Sequence, residues 1–326
     1  YKKSVNTMNS LELCAGAGGQ ALGLERAGFE HRMLVEIDPH ACATLRHNRP
    51  HWQVQEGDLA AFDARSLNGI DLVAGGVPCP PFSKAGKQLG AEDERDLFPQ
   101  AIRVVNETRP QAVMLENVRG LLDAVFVDYR NKIARQLQAL GYWTDWHLFN
   151  AADFGVCQLR PRVVFVALRK DIAEHFRWPA PNMSLPPTVG ELLADLMAER
   201  GWKGVDAWKK RADDIAPTLV GGSKKHGGPD LGPTRSKLAW AALGVDGRGL
   251  ANEAPEPDFV GMPRLTVRMC ARIQGFPDDW QFVGKKTPMY RQVGNAFPPP
   301  VAQAISQRIA MAIEAAAAQR MQRRVA

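Results

Sequence analysis

Between residues 10 and 168 the chain alternates short apolar runs with amphipathic stretches, and this limits the possible folds more than any other feature. Leu11–Cys14, Met33–Ile37, Leu72–Ala74, Ala112–Leu115 and Val163–Leu168 read as strands. Gln20–Ala27, Pro39–Asn48, Leu97–Thr108 and Asn131–Leu140 read as the helices between them. Strand–helix alternation predicts an α/β fold, a mostly parallel sheet with helices on both faces.

The texture changes after Arg169. Residues 169–263 hold many Pro and Gly and scattered Trp without sustained alternation, which predicts a smaller, loop-rich second lobe. A helical pattern returns over Leu265–Ile273, and an Ala-rich amphipathic helix runs from Pro300 to about Arg320. The expected division is therefore 8–168, 169–263 and 264–326, the last returning to the first unit. No apolar run approaches the roughly 20 residues of a membrane helix, and Tyr1–Thr7 is polar, so a cytoplasmic protein is expected. The five cysteines (Cys14, Cys42, Cys79, Cys157, Cys270) include no C-x-x-C pair, which argues against both a zinc site and a disulfide framework. A net charge of +6 favours a polyanionic partner without naming one.

Leu11-Glu12-Leu13-Cys14-Ala15-Gly16-Ala17-Gly18-Gly19-Gln20-Ala21 is a strand running through a glycine turn into a helix. Gly16-x-Gly18-x-x-Ala21 matches the dinucleotide fingerprint, and Glu36 stands at the end of the second strand. Such glycines let a ligand approach the backbone, and an acidic residue there can accept from ribose hydroxyls. The loop suits NAD or S-adenosylmethionine equally, and a tight structural turn would carry the same glycines. Asp58, after a presumed third strand, adds a carboxylate at the same edge. It could meet an adenine amine or simply cap the next segment.

Gly75-Gly76-Val77-Pro78-Cys79-Pro80-Pro81-Phe82-Ser83 puts one thiol at a strand end, where α/β folds keep their chemistry. Glu116-Asn117-Val118 puts a carboxyl at another. Gln158-Leu159-Arg160-Pro161-Arg162 adds two guanidinium groups. A nucleophile, a general acid and an anion-stabilising arginine suit the activation of an electron-poor ring.

In this order, with Val35-Glu36-Ile37-Asp38, Arg264-Leu265-Thr266-Val267-Arg268, Gln274-Gly275-Phe276-Pro277 and Gln292-Val293-Gly294-Asn295-Ala296-Phe297-Pro298, the motifs resemble the DNA (cytosine-5)-methyltransferases. The resemblance covers 10–168 and 263–315. It implies a Rossmann-like S-adenosylmethionine-dependent methyltransferase sheet with a target-recognition lobe. It also implies methyl transfer to C5 of a flipped-out cytosine in a specific double-stranded DNA sequence, leaving S-adenosylhomocysteine. Cys79 would add to C6, Glu116 would hold or protonate N3, Arg160 would steady the ring through O2, and Arg162 would order the site. An ordinary thiol, with a pKa near ~8.5, is only slightly ionised at neutral pH, so its proton must leave as it attacks. Burial should raise the pKa of Glu116. For the cofactor, the family pattern assigns Glu36 to the ribose, Asp58 to the adenine amine, Ile37 to the adenine face, and Cys14, Gly16, Gly18 and Gly19 to the surrounding loop. Asn295 would contact the cofactor or tie the last helix back to the first lobe. Cys14 departs from the usual Phe, and Pro80-Pro81 from the polar Gln that often follows the nucleophile.

Base flipping costs roughly a few kcal/mol, so the protein must support the opened duplex. Ser83, Lys84 and Lys87, in a Gly- and Lys-bearing stretch, are expected to close over DNA. Thr218-Leu219-Val220-Gly221-Gly222 resembles the Thr-Leu segment of recognition lobes. With Lys224, Lys225 and Arg235 it forms the expected DNA-contacting set. Trp202, Trp208 and Trp240 are expected to form the lobe's small core. An oxidoreductase would leave Pro78-Cys79, Glu116 and the late Asn295 motif unexplained. A tRNA cytosine methyltransferase on the same scaffold typically carries Cys-Phe-Thr in its second lobe, which this chain lacks. A catalytically dead binding module would not need Cys79, Glu116 and Arg160 together. The expected molecule is a monomeric bacterial modification enzyme without metal or appended reader domain. It would be cytoplasmic and held at the nucleoid by DNA, either solitary or paired with a separately acting restriction endonuclease.

Overall fold

The structure, a computed structural model, describes residues 7–78, 96–182, 185–221 and 229–325. The chain opens with β1 (Met8–Leu13), α1 (Gly19–Arg26), β2 (Phe29–Glu36), α2 (Pro39–Asn48), β3 (Val54–Glu56) and β4 (Leu72–Gly75). It continues through α3 (Phe98–Thr108), β5 (Ala112–Val118), α4 (Val127–Ala139), β6 (Tyr142–Asn150), β7 (Gln158–Leu159) and β8 (Pro161–Arg169). The remaining elements are α5 (Lys170–Ala173), α6 (Val189–Ala198), α7 (Val205–Arg211), β9 (Ala216–Pro217), α8 (Thr234–Ala242), α9 (Val267–Ile273), α10 (Lys286–Asn295) and α11 (Pro299–Val325).

Local chemistry explains the best-defined boundaries. Asp38 caps α2 by accepting from the His40 amide, and Pro39 sits at the first helical position, where its missing N–H costs nothing. Thr188 and Glu191 form a capping box that starts α6. β4 and most of β5 are buried on both faces and read as unbroken apolar runs.

Among the described residues the main sheet has the order β3-β2-β1-β4-β5-β8-β6. Its pairings are parallel from β3 through β5, while β8 runs antiparallel to both of its neighbours. The reversal follows from chain length. Between the end of β6 and the start of β8 there is no room for a crossover helix, so the strand can only fold back. β1 lies at the point where the strand order reverses direction, which opens a crevice at the carboxyl ends of β1 and β4.

The second lobe carries three helices, α6, α7 and α8, as well as loops. It is stitched to the sheet domain by a parallel pair, β7 with β9. Trp202, Trp208 and Trp240 are buried together with Leu193, as expected for a small core. Cys270 and Ile273 of α9 and Tyr290 and Val293 of α10 belong to that same core. The lobe's packing therefore extends well beyond residue 263. After it, α11 returns to the sheet domain and lies on α1. A Cβ on Gly23 would sit 2.5 Å from the Ala302 Cβ, so the missing side chain lets the two helices touch.

Candidate active site at the strand ends

A cavity of about 370 Å³ opens where the carboxyl ends of β1, β2 and β4 meet the end of α10. Glu12, Cys14, Gly16, Gly19, Glu36, Ile37, Asp58, Glu116 and Asn295 all line it. Gly16 has φ +55° and Gly18 φ +89°, left-handed values that suit glycine, and Cys14 shares that region at φ +52° despite its side chain. Gly18 faces away from the cavity, because a Cβ there would meet Leu45 at 2.8 Å and Trp280 at 2.9 Å. The first glycine therefore shapes the wall and the second packs the turn.

Glu36 is nearly buried and rigidly held. Its Oε2 accepts from the Gly16 amide at 2.7 Å, and its Oε1 accepts from the amides of Ile37 and Asp38, each at 2.8 Å. Ile37 leaves 65% of its surface exposed, a free apolar face on the wall beside it. Asp58 is exposed at the rim and accepts from the Ala60 amide at 2.9 Å, so it caps a short turn while it lines the cavity. Burial, with the charges of Glu36, Asp58 and Glu12, pushes the Cys14 thiol up to about 12, which keeps it neutral.

Glu12 was not singled out by the sequence reading. It is fully buried, and neither of its carboxyl oxygens has a hydrogen-bond partner. Burial pushes its pKa well above the carboxylate range. The nearby Ala21 amide, short of hydrogen-bond geometry, opposes this only in part, and the charge of Glu36 adds to it. A glutamate between two leucines in a strand buried on both faces was the signal available in the sequence. Gln20 also lines the cavity with its Nε2 unpartnered.

The acid end of the crevice is built on β5. Glu116 is buried, and Arg162 of β8 places its Nε 2.8 Å from Glu116 Oε1 across the antiparallel pair. Burial raises the Glu116 pKa, and the Arg162 and Arg160 charges hold it back in part. Gly76 leaves room for this carboxyl, since a Cβ there would stand 3.3 Å from Glu116 Oε2. Asn117 donates Nδ2 to the Val77 carbonyl at 2.9 Å, and the Leu97 amide donates to the Pro78 carbonyl at 3.2 Å. These bonds fix the backbone immediately before Cys79. Cys79 itself lies outside the described residues, as do Ser83, Lys84, Lys87, Gly222, Lys224 and Lys225.

Arg160 faces elsewhere. Fully buried, it donates through Nη1 to the Leu219 carbonyl at 2.7 Å, and through Nη2 to the Gly294 and Ala296 carbonyls at 2.7 and 3.1 Å. Gln158 reinforces the junction by accepting from the Leu219 amide at 2.9 Å and donating to Gln274 at 2.6 Å. Leu219 is accordingly core. Thr218 donates its hydroxyl to the Leu159 carbonyl. Gly221 meets Asn295 so closely that a Cβ would fall 2.1 Å from Asn295 Oδ1. Of the described lobe residues expected at DNA, Arg235 on α8 is the exposed cation.

The C-5 cytosine-specific DNA methylase family matches residues 8–228 and 234–311. The chain belongs to that family. It is 60% identical over 308 residues to the Type II methyltransferase M.NgoMIV of Neisseria gonorrhoeae, covering 94% of this chain and 98% of that one. It is 56% identical over 317 residues to the Type II methyltransferase M.NaeI of Lentzea aerocolonigenes, covering 95% and 76%. Among solved structures it resembles a DNA modification methyltransferase encoded within an Escherichia coli prophage, with a TM-score of 0.67 and 25% identity over 94% of this chain and 99% of that one. A Dnmt2 methyltransferase of S. pombe shares the fold, with a TM-score of 0.63 at 17% identity over 94% and 98%. The protein is thus a DNA cytosine-5 methyltransferase, and that reading fits better than the tRNA alternative. Family and fold imply S-adenosylmethionine as methyl donor and DNA as substrate. Among the described residues no cluster of three or more His, Cys, Asp or Glu could hold a metal, and no helix is long and apolar enough to cross a membrane.

Proposed function

We propose that this protein is the modification enzyme of a Type II restriction–modification pair, acting in the cytoplasm on a flipped cytosine of one short duplex sequence. The cavity fits the donor: an unpartnered buried carboxyl, a pinned second carboxylate and an exposed apolar face suit an ammonium, a ribose and a base respectively. Glu12 would take the ammonium group, Glu36 the ribose hydroxyls, Ile37 one face of the adenine, Asp58 the adenine amine, and Asn295 would close the wall. S-adenosylmethionine bound there supplies an electrophilic methyl group.

The protein's own part is to make cytosine nucleophilic at C5. Cys79 adds to C6 as its proton leaves, and Glu116, whose pKa burial raises, places a proton at N3. Arg162 orients the Glu116 carboxyl and reaches the ring oxygen, the role the family resemblance had given to Arg160. Arg160 serves the junction with the recognition lobe. The observation that carries this reading is the Glu116–Arg162 pair, with the buried Glu116 on the wall of the donor cavity, beside the hydrogen-bonded backbone that leads into Cys79. Bisulfite sequencing of DNA from cells expressing the protein tests it. One short motif methylated by wild type and unmethylated with Cys79→Ser is expected. Unmodified cytosine throughout, or methylation that survives Cys79→Ser, would overturn it.

A further inference from the structure

A second recess of about 240 Å³ lies on the recognition-lobe side, lined by Arg248, Arg264, Lys286, Asp230 and Gly249 among others. Behind it stands Asp246, a nearly buried carboxylate that both arginines share. It accepts from Arg248 Nε at 2.9 Å and Nη2 at 3.1 Å, and from Arg264 Nε at 3.0 Å. These bonds occupy one edge of Arg248 and a single nitrogen of Arg264. Arg264 Nη1 stands 3.4 Å from where a Gly249 Cβ would be, so the backbone at 249 lies directly against that guanidinium. Lys286 Nζ donates one proton to the Leu250 carbonyl at 2.9 Å. Asp230 is neutralised by Lys237 at 2.7 Å. Among the described residues three cations thus share the recess, and its one lining carboxylate is already paired.

The pairing satisfies the nearly buried Asp246, yet both arginine side chains remain exposed to solvent. The Arg248 side chain is 76% exposed and that of Arg264 47%, so each can meet a solute while Asp246 holds it. What Asp246 does accomplish is to hold two flexible guanidinium groups in fixed orientation at the surface, which lowers the entropy lost on meeting an anion. The recess is also well placed. Lys286 begins α10, and Asn295 at its other end lines the donor cavity. A helix of that length spans ~15 Å, the axial distance of about four base pairs. A recess at that separation is within the reach of a duplex whose target base occupies the crevice.

We infer that Arg248, Arg264 and Lys286 form a seat for a DNA backbone phosphate a few nucleotides from the target cytosine, with Asp246 as the positioning group. The inference rests on the DNA-methylating reading of the active site. Its test is duplex binding and methyl transfer by full-length Arg248→Gln/Lys286→Gln, with Lys209→Gln, an exposed lysine of α7, as the charge-loss control. The double variant should raise the Kd and KM for duplex about tenfold, for cognate and unrelated sequence alike. The slope of log Kd against log salt should fall by about one. S-adenosylhomocysteine affinity should stay unchanged, which shows the fold intact, and Lys209→Gln should behave as wild type. The inference is overturned if the double variant and Lys209→Gln give the same slope and KM. It is equally overturned if inorganic phosphate raises the wild-type melting temperature through these residues while DNA binding is untouched by their loss. Failure of wild type to methylate any duplex would instead overturn the functional reading.

Discussion

Replacing Arg160 by Met should unfold the protein more readily, while replacing Arg162 by Met should stop the chemistry. The two guanidiniums are two residues apart yet meet different groups. Arg160 serves the buried carbonyls of Leu219, Gly294 and Ala296, and Ala296 keeps a second donor in Gln274. Arg160→Met therefore removes this donor from two carbonyls that, among the described residues, have no such backup, at about 1–3 kcal/mol each. Losing the desolvation penalty of a buried cation offsets part of that. A net loss of ~2–4 kcal/mol is expected. In a protein whose whole stability is about 5–15 kcal/mol, this is a plain shift of the urea midpoint. Arg162→Met removes one partner of Glu116, whose carboxyl can take a proton instead, so its cost should be ~1 kcal/mol or less. Turnover should fall by ~100-fold or more, because the group that orients the acid is gone. Urea unfolding paired with single-turnover methyl transfer, run well below the transition, separates the two. If Arg160→Met keeps wild-type stability but loses turnover, or Arg162→Met is the less stable of the two, the division of labour is wrong.

Gly221→Ala should destabilise by about 1–3 kcal/mol, because its Cβ would overlap Asn295; thermal melting and S-adenosylhomocysteine binding should both worsen. Glu12→Gln should stabilise the ligand-free protein increasingly as pH rises. A carboxyl whose folded pKa is raised lends stability below its unfolded pKa and loses it as pH climbs toward the folded value, so the gain should be small at pH 5 and larger at pH 8 in urea melts. The same variant should bind the donor more weakly, measured by calorimetry. Cys79→Ser should form no denaturation-resistant complex with duplex carrying 5-fluorocytosine, whereas wild type should.

Much of the fold was legible because several elements obey one local rule each. α2 matches its expected limits since Asp38 and Pro39 mark the start unambiguously. β2 begins four residues before the sequence reading, where Glu30-His31-Arg32 masks a strand held by pairing with β1. β6 was missed because its exposed edge mixes Trp, Thr, Asp and His, and only its ladder with β8 defines it. α10 was hidden by Pro288 in its first turn and Gly294 in its last, which read as loop. At the site, strand ends and the glycine turn were readable, and the cavity unites the expected Glu36, Ile37, Asp58, Asn295 and Glu116. That Arg160 would meet the Leu219, Gly294 and Ala296 carbonyls and Arg162 the Glu116 carboxyl was not, because segments distant in the chain decide which group each one meets.

The junction around Arg160 also bears on how such enzymes could exchange specificities. A recognition lobe cut out at residues 169 and 263 would leave β7 without β9, Arg160 without the Leu219 carbonyl, and α9 and α10 without the tryptophans they pack on. Lobe and sheet domain are thus one packed unit across this junction, and a transplanted lobe should fold only if β9, Leu219 and the partners of its tryptophans travel with it.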